Sequence, residues 1–110
     1  MPINSPFGAA DIQSPAYAAT LAATITNKGT ILKPGTLTGA MTINLTLDAA
    51  LKGGEELLLE LTADGTNRVV TFGTGFLMVA LTVTASKTFA IQFTFDGTQF
   101  VAGYLPVTMN

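Results

Sequence analysis

Few residues in this chain could do chemistry. It has no histidine and no cysteine, so the usual general base and the usual thiolate are both missing. Serine occurs only at 5, 14 and 86, and none sits in a nucleophile motif. Ser86 and Lys87 are adjacent, and adjacent residues of a strand point to opposite faces, which makes a poor catalytic dyad. The carboxylates Glu55, Glu56 and Glu60 cluster near one segment. Glu56 and Glu60 share a face, but four residues apart on a strand they stand about 13 Å from each other at about 3.3 Å per residue. Glycosidase carboxyls stand about 5–9.5 Å apart. Asp64 and Asp96 each precede a glycine, without the alternating acidic run of a calcium loop. Gly73-Thr74-Gly75 lacks the helix that a phosphate cradle needs. No catalytic, cofactor-binding or metal residue is assigned, and the chain is expected not to be an enzyme.

The elements that would position a site fill the rest of the chain. Its 110 residues make one domain by length, and 48% of them are hydrophobic against 11% charged, where about a quarter is typical. Mean hydropathy is +0.48. A small domain leaves much of its surface wet, so an apolar excess points to an oligomer or an assembly. The longest charge-free runs are 12–27 and 69–86. The second is rich in Thr and Val and carries Gly73 and Gly75, so it reads as strands and a turn, not as a span of a membrane. No Lys or Arg precedes Lys28, and Pro2, Pro6 and Pro15 interrupt the apolar start; no secretory leader is expected. Five basic residues scattered at 28, 33, 52, 68 and 87, with a net charge of −2, form no face for nucleic acid.

Residues 1–18 hold three prolines and no periodicity, which predicts an extended N-terminal arm. Ile3, Phe7, Ile12 and Tyr17 make that arm apolar, so it is expected to lie on its own domain or to anchor on a neighbour. Residues 19–110 read as a β-domain. Period two runs through 21–26, 41–47, 56–63 and 88–95, with shorter extended runs at 30–32, 67–72, 77–83 and 98–105. Leu58 breaks the outer face of its run. Asp64-Gly65 and Asp96-Gly97, each followed by Thr, predict two hairpin turns. About eight strands, with turn signals every 8–12 residues, predict an antiparallel β-sandwich or jelly roll.

The segments GEELLLELTADGTNRVVTFGTGF (54–76) and KTFAIQFTFDGTQFVAGY (87–104) resemble small β-structured virion proteins of tailed bacteriophages: capsid decoration proteins, head fibres and fibre modules. AATITNKGTILKPGTLTGAMTINL (22–45) resembles their entry strands more weakly. The resemblance covers about half of the chain and is a pattern of hairpins, not a catalytic signature. It implies a non-enzymatic protein without a cofactor, working as a homo-oligomer, expected to be a trimer. It implies the major capsid protein or another virion protein as partner, and the virion, assembled in the host cytoplasm, as location. The chain is shorter than a fibre and has no stalk repeats, which favours a decoration (cement) or head-fibre subunit. The alternative is a module that recognises a host receptor or glycan through loops 49–55 and 73–76, where Phe76 is the one aromatic residue.

Overall fold

Alternating Thr and branched or aromatic apolar residues suit a pleated surface with one dry face, and the chain folds almost wholly on that pattern. The computed structural model describes residues 11–26, 29–102 and 107–108, and no helix occurs among them. The described residues form eleven strands: β1 (Asp11–Gln13), β2 (Thr20–Ile25), β3 (Thr30–Leu32), β4 (Met41–Leu47), β5 (Glu56–Thr62), β6 (Arg68–Phe72), β7 (Phe76–Leu77), β8 (Leu81–Val83), β9 (Thr88–Phe95), β10 (Phe100–Ala102) and β11 (Val107–Thr108). They form two sheets. The larger has the order β1-β3-β5-β9-β10-β7, with β11 also on β9; the smaller has the order β2-β4-β6-β8.

From β1 to β8 the chain alternates between the sheets. Odd strands join the larger sheet and even strands the smaller. A chain that leaves a sheet, runs back through the other and returns re-enters in its original direction, so its successive strands in one sheet lie parallel. β1 and β3, β3 and β5, β2 and β4, and β4 and β6 pair this way; β6 and β8 depart from it and are antiparallel, while β7 and β10, not successive in their sheet, are also parallel. The antiparallel ladders are β5–β9, β9–β10, β9–β11 and β6–β8. The expectation of an antiparallel fold of about eight strands is therefore corrected to two mixed sheets. Period two reports which way a side chain faces. It carries no information on the direction of the neighbouring strand.

The inner faces are those the alternation predicts. Leu21, Ala23 and Ile25, then Met41, Ile43 and Leu45, then Leu57, Leu59 and Leu61 are all buried in one core. Phe72 of the smaller sheet meets Phe76 and Phe93 of the larger at ring-centroid distances of 5.0 and 5.7 Å, and Phe76 meets Phe93 at 5.0 Å. These tilted contacts each contribute about 0.5–1.5 kcal/mol beyond burial. They fasten the two sheets in a sandwich-like arrangement.

Run 77–83 is not one strand. Phe76–Leu77 belongs to the larger sheet and Leu81–Val83 to the smaller, so the chain crosses between sheets at 78–80. The crossing takes Leu77 and Val79 off the core; they are 57% and 80% exposed.

Candidate assembly surfaces

Among the described residues, no three His, Cys, Asp or Glu side chains gather where they could hold a metal. Glu55 Oε2 and Oε1 accept hydrogen bonds from Lys52 N and Gly53 N at 3.1 and 2.8 Å, which holds this carboxyl below its ordinary value. It thus clips its own loop together. Ser86 and Lys87 are exposed in a turn closed by Lys87 N donating to Thr84 O at 3.0 Å. Phe76, the aromatic residue of loop 73–76, is buried and stacks in the core, so that loop offers no ring to a sugar.

The two Asp-Gly-Thr turns differ in what they join. At the second, Asp96 Oδ1 accepts from Thr98 N and Gln99 N at 2.8 and 2.9 Å, and Asp96 N donates to Gln99 O. Phe95 and Phe100 face each other in the β9–β10 ladder, so Asp96 and Gly97 form the expected hairpin turn. Those amides pull the Asp96 carboxyl below its ordinary value. Asp64 and Gly65 do not form one. β5 carries β3 on one edge and β9 on the other, which leaves no edge for β6. Residues 63–67 instead turn a corner into the smaller sheet. Arg68 Nε and Nη2 grip Asp64 Oδ1 and Oδ2 at 2.9 and 2.8 Å. The grip lowers the pKa of the Asp64 carboxyl and raises that of Arg68.

The expected anchoring residues fall in three places. Ile3 and Phe7 lie outside the described residues. Tyr17 straps its own segment to the domain: its hydroxyl donates to Ala40 O at 2.7 Å. A Cβ on Gly39 would stand 2.6 Å from that hydroxyl oxygen, so glycine leaves the room the tyrosine needs. Ile12 sits on β1, which is hydrogen-bonded to the chain's own β3, and it is 64% exposed.

Ile12 is not isolated. It stands in register with Ile31, and Ile31 with Leu58. Their neighbours Leu32, Leu57 and Leu59 are buried, so the three lie together on the solvent face of the larger sheet. Leu58 pairs with Gln92 across the next ladder. The row crosses three parallel strands at about 4.8 Å per step. Leu58 was legible as an apolar residue out of phase. Ile31 carries the same signal, flanked by the inward Thr30 and Leu32, but in a three-residue run. That the three align depends on parallel register, which alternation does not reveal. The outer face of the smaller sheet differs: Thr20, Thr42 and Thr71 line up across three strands, with Thr24 beside Thr46.

Together these features define an all-β domain of two mixed sheets, with an apolar row on the outer face of the larger sheet and threonine rows on that of the smaller. No family model, no curated protein and no solved structure matches the chain.

Proposed function

We propose that the chain is a non-enzymatic structural subunit of a tailed-bacteriophage virion, of the capsid decoration or head-fibre type. In this reading it works as a homo-oligomer, expected to be a trimer, against the major capsid protein or another virion protein. Its place is the virion, after assembly in the host cytoplasm. The jelly-roll form and the anchoring role of residues 1–18 belong to the same resemblance. The observation that carries the reading is the row Ile12–Ile31–Leu58, apolar side chains held in register on a face that an isolated domain would make polar. Ile12 is exposed, and Ile31 and Leu58 beside it are half-buried; apolar surface grouped in this way marks contact sites, and a rigid sheet presents it at little ordering cost on binding.

The test is a pull-down with purified capsids. Ile31→Glu and Leu58→Glu change only outward side chains, so they are expected to abolish capture while the far-UV circular dichroism stays that of the wild type. Deleting residues 2–10, which precede β1, tests the arm separately. A mass of about 34 kDa by light scattering, three times the chain's 11.4 kDa, is the expected trimer. Full capture of the Glu variants, or no capture of the wild-type chain, sinks the proposal.

A further inference from the structure

β2 is an edge strand, and among the described residues only the Gln13 side chain reaches its outer side. β4 pairs all of Thr20–Ile25 on the inner side. Thr42 N donates to Ala19 O and Asp48 N to Ile25 O, at 2.9 and 3.0 Å, so the odd-numbered residues turn their backbone groups toward β4. Successive residues of a strand turn opposite ways, so Thr20, Ala22 and Thr24 turn theirs outward. Gln13 Nε2 reaches Thr24 O from that side at 2.8 Å, as this direction requires. Among the described residues nothing else meets the outward N–H and C=O of Thr20 and Ala22 or the N–H of Thr24. All three residues are exposed.

Proteins usually blunt such edges with charge, proline or a bulge. None is present here. Residues 12–27 carry no charge, and Thr20–Ile25 contains no proline. The pairing with β4 runs without interruption over six residues.

We propose that β2 is a self-pairing edge: two copies of the chain join β2 to β2, antiparallel, about a two-fold axis at Ala22. The pattern of outward groups is the same read in either direction. Ala22 then faces Ala22, and each Thr20 faces the other copy's Thr24. Each facing pair exchanges two backbone hydrogen bonds. A carbonyl has two lone pairs, so Gln13 can keep its bond to Thr24 O. Leu21, Ala23 and Ile25 of both copies fall on one face, which lets the cores adjoin. The charge nearest the edge is Asp11, whose Oδ2 accepts from the same Gln13 Nε2 at 2.9 Å; it stands at the Thr24 end of each copy, so the two-fold axis sets the two carboxylates at opposite ends of the seam. The chain's own residues 1–10 are a poorer occupant, because Pro2 and Pro6 lack the N–H an edge must read. The inference stands apart from the virion reading, whose row lies on the other sheet.

The chain has no cysteine, so a single introduced one reports on the seam. Cα atoms of a hydrogen-bonded antiparallel pair lie about 5.5 Å apart, within the reach of a disulfide. Ala22→Cys in the full chain is expected to oxidise to a covalent dimer in high yield. Thr46→Cys, also exposed but on β4 inside the sheet, is expected to form no covalent dimer. In sedimentation equilibrium, Ala22→Lys is expected to weaken self-association at least tenfold with unchanged circular dichroism. Equal cross-linking of the two cysteine variants overturns the proposal, as does association indifferent to Ala22→Lys. It also fails if Ala22→Cys cross-links only once residues 2–10 are deleted, because the edge is then occupied from within the chain. Capsid capture unchanged by Ala22→Lys separates this result from the fate of the virion reading.

Discussion

Asp64-Gly65-Thr66 and Asp96-Gly97-Thr98 share three letters and do two different jobs. In both, the aspartate Oδ1 accepts from the threonine amide, at 3.2 Å in the first and 2.8 Å in the second. From there they diverge. Gly97 takes a φ of +103°, whereas Gly65 keeps an ordinary backbone. After Gly97 the chain returns along the strand it has left; after Gly65 it enters the other sheet. The cause is the state of the neighbouring edges, not the tripeptide. β9 has a free edge for β10 and β11, while β5 is already flanked by β3 and β9. Turn chemistry bends a chain, and the availability of an edge decides whether the bend becomes a hairpin.

The largest expected effect lies where the two exits meet the core. The hairpin leads to Phe100, whose ring packs on Phe95 of the same sheet at 5.2 Å. The corner leads to Phe72, whose ring packs across the sandwich on Phe93. Phe93 is fully buried, so Phe93→Ala removes a ring that joins the sheets and leaves a cavity. A loss of about 3–5 kcal/mol in urea unfolding is expected. A loss below about 1 kcal/mol would mean that the corner does not deliver β6 against the larger sheet.

Glycine substitution separates the two turns directly. Alanine at 97 meets no crowding, since the nearest atom to its Cβ is Lys52 O at 3.8 Å. It must, however, adopt a left-handed φ, at a cost of about 1–3 kcal/mol. Alanine at 65 meets nothing within 4 Å and needs no unusual backbone. It is expected to be neutral or to stabilise by about 0.4–1 kcal/mol through the unfolded chain. Equal costs at the two sites, in parallel denaturation curves, would show that the turns share one conformation after all.

The same contrast marks how far the sequence could be read. The faces of β2, β4, β5 and β9 followed from alternation, because each segment is long enough for period two to count. The pairing did not follow. Nothing in 21–26 or 41–47 says that these strands are parallel neighbours with β3 crossing between them in the other sheet. The run 77–83 keeps period two in its letters, yet it changes sheet midway, so Leu77 and Val79 face solvent while Phe76 and Val83 are buried. That the usual general base and thiolate are missing was legible directly, since the chain holds no His and no Cys. The apolar row was legible only in part, since Leu58 and Ile31 each stand out of phase but their alignment with Ile12 depends on parallel register.

The smallest expected effect is electrostatic, and it too differs between the turns. Asp64 is held below its ordinary pKa chiefly by Arg68, and Asp96 by the amides of Gln99 and Thr98. A carboxyl depressed in the folded state contributes stability that is complete above its unfolded pKa. That contribution is lost as the pH falls through the lower, folded value. Both turns should therefore weaken on acidification below the ordinary aspartate value of 3.8. No histidine is present to add a step near neutrality. Salt distinguishes the causes. The ion pair at the corner is partly solvated, with side chains 23% and 30% exposed, and is screened by added salt. The amides around Asp96 are fixed dipoles within hydrogen-bond reach and are screened far less. In urea midpoints measured from neutral pH into the acid range, Arg68→Gln is expected to shrink the acid-dependent loss at low salt and to change little at about 1 M salt, where the Debye length is about 3 Å. Asp96→Ala is expected to shrink it equally at both. If Arg68→Gln left the low-salt acid profile untouched, the corner would be held by its backbone bonds alone, Asp64 N to Leu37 O and Ser86 N to Asp64 O. The guanidinium would then have no part in directing β6 to the second sheet.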